Sequence, residues 1–138
     1  MVSINPIALG LAAVVTMAIG FAYYSSFVLG RQWMKEKGID KKKMAKMKKE
    51  SNMAATYGLS FIAALITALV MSGFVDFFDA ITWQEGALVG FLAWLGFSST
   101  TAFTGMLFGD KNMKLFIIDT GYQALSMIST GIIVTILA

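Results

Sequence analysis

The chain has 138 residues, of which 57% are hydrophobic and only 14% are charged, and its formal net charge is +3. This composition is too apolar for an ordinary soluble domain and predicts a protein that resides in a lipid bilayer. Because the chain contains no cysteine and no histidine, disulfides and thiolate metal sites are excluded, as is the commonest general base.

Four long apolar blocks, at about residues 5–29, 53–74, 86–108 and 115–137, predict four membrane-spanning helices. The first block has no charged residue, and at 1.5 Å per residue it is about 37 Å long, enough to cross about 30 Å of hydrocarbon with some tilt. Asp119 is the only charged residue within the four blocks. The sequence therefore predicts an all-α protein, a four-transmembrane-helix bundle that forms a single membrane domain over residues 1–138.

The segment between the first two spans, residues 30–52, is strongly basic and holds nine of the eleven lysine and arginine residues. Asp40 is placed to cap a short helix that lies on the membrane surface. Anionic lipid headgroups would attract the lysines of this helix, namely Lys41, Lys42, Lys43, Lys46, Lys48 and Lys49. The interpretation that we favour is that these lysines only determine the topology and stay solvated. The alternative is a specific site for anionic lipid or a partner. Nucleic-acid binding is not expected, because no aromatic platform accompanies the charge.

The charges of the other two loops predict the orientation of the bundle. The loop between the second and third spans carries Asp76, Asp79 and Glu85 with no basic residue, whereas Lys111 and Lys114 lie between the third and fourth spans. Basic loops stay on the cytoplasmic side. We therefore predict a multi-pass protein of the cytoplasmic (inner) membrane, with both termini outside and the basic loop in the cytoplasm.

Each predicted span has one face of small or polar residues, which membrane helices use for close packing. On the second span this face comprises Thr56, Ser60, Ala63 and Thr67. The glycines that we predict to pack helices together are Gly86, Gly90, Gly105 and Gly109 on the third span and Gly20 on the first. On the fourth span, Ser126 and Thr130 continue a polar stripe that should face protein.

That stripe begins with Asp119, Tyr122 and Gln123, which lie in the part of the fourth span nearest the cytoplasm. Polar residues of the other spans are expected at a similar depth. We therefore predict an intramembrane polar cluster of Asp119, Tyr122, Gln123, Tyr24, Thr101 and Ser60.

Asp119 requires an explanation, because a carboxylate in hydrocarbon is costly unless it is paired, hydrogen-bonded or neutralised. One interpretation is functional, with Asp119 coupling protons or binding a substrate. The other is structural: the carboxylate accepts hydrogen bonds from Tyr24, Thr101 or Ser60, or extends toward Lys114. The sequence leaves both open.

Two short motifs resemble those of a known family. The end of the first span resembles Gly-x-x-Trp-Tyr-Ser-Pro-x-x-Phe-Gly-x-x-Trp, at the positions of Gly20, Tyr23, Tyr24, Ser25, Ser26, Leu29, Gly30 and Trp33. Tyr23, Ser26 and Leu29 replace its tryptophan, proline and phenylalanine. The start of the fourth resembles Leu-Phe-x-Ile-Asn-x-Gly-Tyr-His, at the positions of Leu115, Phe116, Ile118, Asp119, Gly121, Tyr122 and Gln123. Asp119 and Gln123 replace its asparagine and histidine. Both resemble small prokaryotic membrane proteins known as domain of unknown function seventeen-sixty-one. The resemblance implies a topology but no activity, and its asparagine at the position of Asp119 argues against a required titrating carboxylate.

No catalytic residues, metal ligands or cofactor are predicted. The favoured hypothesis is a non-enzymatic accessory or assembly subunit that packs through glycine-lined helix faces, either as a homo-oligomer or within a larger membrane complex. The alternative is an oligomeric transporter or channel for a small solute or proton that uses the polar face of span four. A third hypothesis, an enzyme acting on lipid or quinone, would need Asp119, Tyr24 and Tyr122 to supply all acid–base chemistry.

Overall fold

The computed structural model describes residues 4–25, 28–109 and 111–137. Throughout these ranges every regular element is helical and none is a strand, as predicted. The elements are α1 (Pro6–Tyr23), α2 (Gly30–Lys37), α3 (Lys41–Glu50), α4 (Met53–Phe77), α5 (Trp83–Ala93), a π-helical segment (Trp94–Ser99), α6 (Thr100–Phe108) and α7 (Met113–Ile136). The π segment joins α5 and α6 into one rod, Trp83–Phe108.

Four helices are long and apolar enough to cross a membrane: α1, α4, the rod Trp83–Phe108 and α7. They correspond to the four predicted spans, and the protein is a membrane protein. The first span differs in extent, since α1 ends at Tyr23 although the apolar block continues to Leu29. After Tyr23 the backbone turns, and the N–H of Ser25 donates to Ala22 O at 3.2 Å.

Each of the four spanning helices begins with a side-chain cap. Asn5 accepts from the N–H of Ile7, Asn52 from that of Ala55, and Asn112 from that of Leu115. The rod begins with a capping box, in which Thr82 accepts from the N–H of Glu85 while Glu85 accepts from the N–H of Thr82. These caps satisfy backbone donors that would otherwise be unpaired at the ends of helices.

Helix α7 lies at the centre of the bundle and packs against α1, α4 and α5. Its closest approach is to α5, where Gly131 lies against Gly86 and Gly90. A Cβ atom added to Gly86 would overlap Gly131 O, and one added to Gly90 would overlap Met127 O. Only hydrogen at these positions lets the two backbones approach so closely.

The rest of the core is also built from small side chains, because the other helices approach α7 closely as well. Ala8, Ala12 and Ala13 of α1 are buried, as are Ala64 and Ala68 of α4. Met71 is the largest fully buried side chain in the described part of the chain. On α7, Ser126 and Thr130 are buried, so the predicted polar stripe of this helix does face protein.

The small and polar face of α4 points away from the bundle. Thr56, Ser60, Ala63 and Thr67 are all exposed. The buried face of α4 is a different one, formed by Ala64, Ala68, Met71, Ser72 and Val75. The face that the sequence indicated on this span is therefore not the one that packs against α1 and α7; that contact uses the small residues Ala64, Ala68 and Ser72 together with Met71 and Val75.

The basic segment forms two short helices at one end of the bundle. As predicted, Asp40 caps α3, accepting from the N–H of Lys43 at 2.6 Å. The six lysines of α3 are exposed and this helix has no buried residue. Helix α2 is attached to the start of α7, where the Asn112 amide donates to the backbone and the carboxylate of Glu36 at 3.3 Å.

Candidate functional site

Asp119 lies where α1 meets α7, and a set of tyrosine hydroxyls joins the two helices. The hydroxyl of Tyr24 donates to Asp119 Oδ1 at 2.6 Å. The hydroxyl of Tyr23 donates to the backbone carbonyl of Ile118, and that of Tyr122 donates to Thr16 O at 3.3 Å. The half-buried carboxylate is therefore hydrogen-bonded, as the structural interpretation of Asp119 requires.

The three tyrosine rings also pack on one another. The ring centroid of Tyr24 lies 5.1 Å from that of Tyr23 and 5.4 Å from that of Tyr122, and both pairs have edge-to-face geometry. Trp33 of α2 packs on Tyr24 at 5.9 Å, and Lys37 Nζ lies 4.9 Å from the centroid of the Trp33 ring. Such aromatic contacts are favourable beyond the area they bury and hold the hydroxyls in fixed positions.

Two glycines make room for this cluster. A Cβ atom added to Gly121 would lie 2.6 Å from the hydroxyl of Tyr23, and one added to Gly20 would lie 3.2 Å from that of Tyr122. The tyrosines thus occupy space that a larger residue on the facing helix would fill. In each pair the glycine belongs to one of the two motifs and the tyrosine to the other.

On its other side, Asp119 borders a cleft of about 380 Å³ between α6 and α7, here called the α6–α7 cleft. The polar residues that line it are Lys111, Asn112, Asp119, Thr120 and Gln123. Its apolar wall is formed by Ala102, Gly105, Met106, Leu115 and Phe116, with Gly109 at the loop. One aspartate, one lysine, one asparagine, one glutamine and one threonine therefore border the same small space.

The rod Trp83–Phe108 makes this cleft possible by changing its relation to α7 along its length. At one end, α5 lies in close contact with α7 through the glycines described above. The π segment follows, where Trp94 Nε1 donates to Thr120 O at 2.9 Å and Ser98 Oγ donates to Met127 Sδ at 3.1 Å. Beyond it, α6 contacts α7 much less than α5 does. A π turn is wider than an α turn and often marks a functional site.

A second groove, of about 840 Å³, lies between α4 and α5 and is almost wholly apolar. Glu85 is the only charged residue among those that line it. Its carboxylate already accepts from the N–H of Ile81 at 2.6 Å, as part of the cap of α5. This groove suits the acyl chains of surrounding lipid and offers no group for chemistry.

The structure brings four of the six predicted cluster residues together. Tyr24, Asp119 and Tyr122 form the junction of α1 and α7, and Gln123 lines the α6–α7 cleft beside Asp119. Ser60 and Thr101 do not join them: both are exposed, and within the described residues neither side chain hydrogen-bonds to Asp119. Equal depth along the helices did not bring them together, because their helices are rotated to point them outward.

The predicted packing glycines also occupy different surroundings. Gly86 and Gly90 lie against α7, and Gly20 lies against the ring of Tyr122. Gly105 and Gly109 instead border the α6–α7 cleft, and a Cβ atom on Gly105 would meet no atom within 4 Å. Sequence reasoning missed Gly131, Trp94 and Thr120 as contributors, because their roles depend on the pairing of the rod with α7.

The tyrosine hydroxyls of this junction are all engaged between helices. All three tyrosine hydroxyls donate to acceptors on neighbouring helices. In the described part of the chain, no cluster of acidic residues could hold a metal ion. A general acid or base must reach a substrate atom directly, whereas these hydroxyls already serve as links between helices. The groups left to meet a ligand are those that line the cleft.

Comparison with known proteins gives one match. Residues 7–135 match the family described as "Protein of unknown function (DUF1761)", which confirms the resemblance drawn from the two motifs. No curated protein and no solved structure matches the chain.

Proposed function

Since the chain belongs to this family of unknown function, we propose from its own geometry that it is a non-enzymatic assembly subunit of the cytoplasmic membrane. It associates with further membrane helices, either in copies of itself or in other chains. Both termini face outward and the basic helices α2 and α3 face the cytoplasm, where the lysines of α3 contact anionic headgroups.

The observation that carries this proposal is the outward face of α4. Thr56, Ser60, Ala63 and Thr67 are exposed and are spaced by four, three and four residues. That spacing draws one nearly straight seam along a helix. Small residues on an outward face let the backbone of a second helix approach closely, which is the main source of helix association in lipid.

The hydroxyls of the seam support the same conclusion. Thr67 Oγ1 donates to Ala63 O at 3.0 Å, and Thr56 Oγ1 donates to Asn52 O at 3.2 Å. Because these two threonine hydroxyls are satisfied within α4, they can face lipid or a second helix without leaving an unpaired donor. Such a surface tolerates lipid in the free subunit and favours a helix in the assembled one.

Two of the predicted packing glycines, Gly86 and Gly90, do not belong to the proposed assembly surface. They are buried against α7, where a partner helix cannot reach them. In our proposal, the small-residue face that contacts a partner helix is the exposed face of α4.

The test is the native mass of the protein extracted in lipid nanodiscs, with all co-purifying chains identified. We expect an assembly larger than one chain, and we expect Ala63→Leu to shift it toward monomer by at least about tenfold in dissociation constant, because the added side chain holds the helices apart. The matched control is Ala55→Leu. Ala55 is also exposed on α4, but it lies on the face of Ile62 and Ile66, away from the seam.

A single free chain in the unsubstituted protein would contradict the proposal. If Ala63→Leu and Ala55→Leu change the dissociation constant equally, the protein still assembles, but the seam of α4 is not the surface through which it does so.

A second candidate function, an oligomeric transporter of a small solute or proton, is favoured by one observation. Asp119 is hydrogen-bonded on one side by Tyr24 and borders the α6–α7 cleft on the other, as a carboxylate on a solute path would be. Four helices alone seldom enclose a path, so this function also requires assembly. Flux into liposomes that is lost in Asp119→Asn would favour transport over a purely structural subunit.

A further inference from the structure

We propose that the α6–α7 cleft binds a small zwitterion, a molecule with an amine, a carboxylate and a short apolar body, as in an aliphatic amino acid. This inference concerns a ligand of the single chain and does not depend on the proposed assembly. It is argued from the charges, the hydrogen-bonding groups and the dimensions of the cleft.

The negative end of the cleft is Asp119. Tyr24 donates to its Oδ1, which fixes the carboxylate and leaves Oδ2 to receive a second donor. An ammonium group is the donor that a carboxylate binds most strongly, because the hydrogen bond is charge-assisted and partly shielded from water. The amine of the ligand therefore belongs next to Asp119.

The positive end of the cleft is Lys111, in the loop before α7. Lys111 has a left-handed backbone with φ 54°, which is uncommon for a side chain other than glycine. Its N–H donates to Met106 O at 3.1 Å, so the turn folds back onto the end of α6 and sets the lysine beside the cleft. From Met113 to Asp119 the helix rises about 9 Å, so Lys111 and Asp119 border different parts of the cleft.

Thr120 also borders the cleft, but its hydroxyl does not single the cleft out as a polar site. Only 5% of the surface of Thr120 is exposed, and its hydroxyl has no hydrogen-bond partner within the described residues. The hydroxyl of Ser126, which does not line the cleft, is likewise buried without a partner there. The proposal therefore rests on the charged groups and the size of the cleft.

The size and the apolar wall limit the ligand further. A cleft of about 380 Å³ is at the small end of the ~300–1,000 Å³ typical of small-molecule sites. Met106, Leu115 and Phe116 provide an apolar surface for a short hydrocarbon side chain. The amide of Gln123 can both donate and accept, so it suits a polar group near the carboxylate or the amine.

The charges around the cleft favour a zwitterion over a simple cation or anion. Lys111 and Lys114 are both exposed at this end of the molecule, where the carboxylate of Glu36 also accepts from the amide of Asn112 at 3.3 Å, so groups of both signs lie around the cleft. Asp119 would oppose an isolated anion. A ligand that carries both charges satisfies each group with its opposite and is neutral overall.

The test is equilibrium binding of radiolabelled L-leucine and L-methionine to the full-length protein in nanodiscs. Two competitors each carry one charge on a similar hydrocarbon, namely isopentylamine and 4-methylpentanoate. We expect saturable binding of at least one amino acid, with each competitor at least about tenfold weaker. Asp119→Asn and Lys111→Gln should each weaken binding by at least about tenfold, since each removes one ion pair.

Lys49→Gln is the matched control for the loss of a positive charge, because Lys49 is exposed on α3, and it should bind as the unsubstituted protein does. Helix content measured by circular dichroism shows that the variants are folded. The proposal is overturned if neither amino acid binds at millimolar concentration, if isopentylamine competes as well as L-leucine, or if Asp119→Asn binds normally. A monomeric native mass would contradict the assembly proposal alone and would leave this binding unaffected.

Discussion

Asp119 shows how a single charged residue is accommodated inside a membrane helix. Its carboxylate accepts a hydrogen bond from Tyr24, and the tyrosine rings around it exclude lipid from that side. Tyr23 and Tyr122 bond to backbone carbonyls, so they leave the carboxylate to Tyr24. The carboxylate thus bonds to α1 on one side and borders the α6–α7 cleft on the other.

We expect Tyr24→Phe to lower the free energy of unfolding by about 1–2 kcal/mol, because it leaves a half-buried carboxylate without its donor. Reversible unfolding in mixed detergent micelles measures this change. Tyr57→Phe is the control: Tyr57 packs on Phe21 with ring centroids 5.4 Å apart, and none of the hydrogen bonds of the described residues involves its hydroxyl. A change below about 0.5 kcal/mol is expected there. Equal losses in the two variants would count against a stabilising Tyr24–Asp119 bond.

At the scale of the helices, the rod Trp83–Phe108 has two different relations to α7. Its first part, α5, approaches α7 closely through glycine residues, whereas its last part, α6, is separated from α7 by a cleft that polar residues line. Between them, the hydroxyls of Ser99 and Thr100 donate to Leu95 O and Gly96 O at 2.8 Å. These bonds help to satisfy carbonyls in a stretch where the regular α pattern is interrupted.

The close contact of α5 with α7 predicts different effects on stability for two glycine-to-alanine substitutions. Gly86→Ala should lower the free energy of unfolding by about 1–3 kcal/mol, because the added methyl group meets the backbone of α7 and the helices must move apart. Gly58→Ala in α4, where a Cβ atom would meet nothing within 4 Å, should be neutral or stabilising by up to about 1 kcal/mol. Both are measured by unfolding in mixed micelles. A neutral Gly86→Ala would show that the contact is looser than described.

At the scale of the whole molecule, charge is divided between the two ends of the bundle. The lysines of α3 lie at the end that also holds Lys111 and Lys114, whereas Asp76, Asp79 and Glu85 lie at the opposite end. The α6–α7 cleft is at the basic end. In the proposed orientation, therefore, a ligand of the cleft enters from the cytoplasm.

The orientation can be measured directly because the chain has no cysteine. In intact cells, a membrane-impermeant maleimide should label Ile81→Cys, in the acidic loop, and should label Lys42→Cys on α3 only after the membrane is opened. Both positions are exposed, so a difference in labelling reports their side and not their burial. Labelling of Lys42→Cys in intact cells would reverse the proposed topology.

The sequence by itself determined the class of protein, the number of spans and their approximate positions. A long apolar block in lipid forms a helix, because its backbone N–H and C=O groups have no water to bond to and must pair with each other. It also indicated the cap at Asp40 and the residues Asp119, Tyr24 and Tyr122, because charge and aromatic hydroxyls are unusual inside a membrane helix. Family membership followed from two motifs at the junction of α1 and α7.

Only the tertiary structure decided which faces meet. Lipid is as apolar as the side chains that it replaces, so hydrophobicity does not distinguish the inner face of a membrane helix from the outer one. For this reason Ser60 and Thr101 were placed with Asp119 by depth alone, although their helices turn them outward. The partner of Gly86, the bond of Trp94 to Thr120 and the cleft itself all arise from the angle at which the rod passes α7. That angle depends on contacts between residues distant in the chain, which a single sequence does not contain.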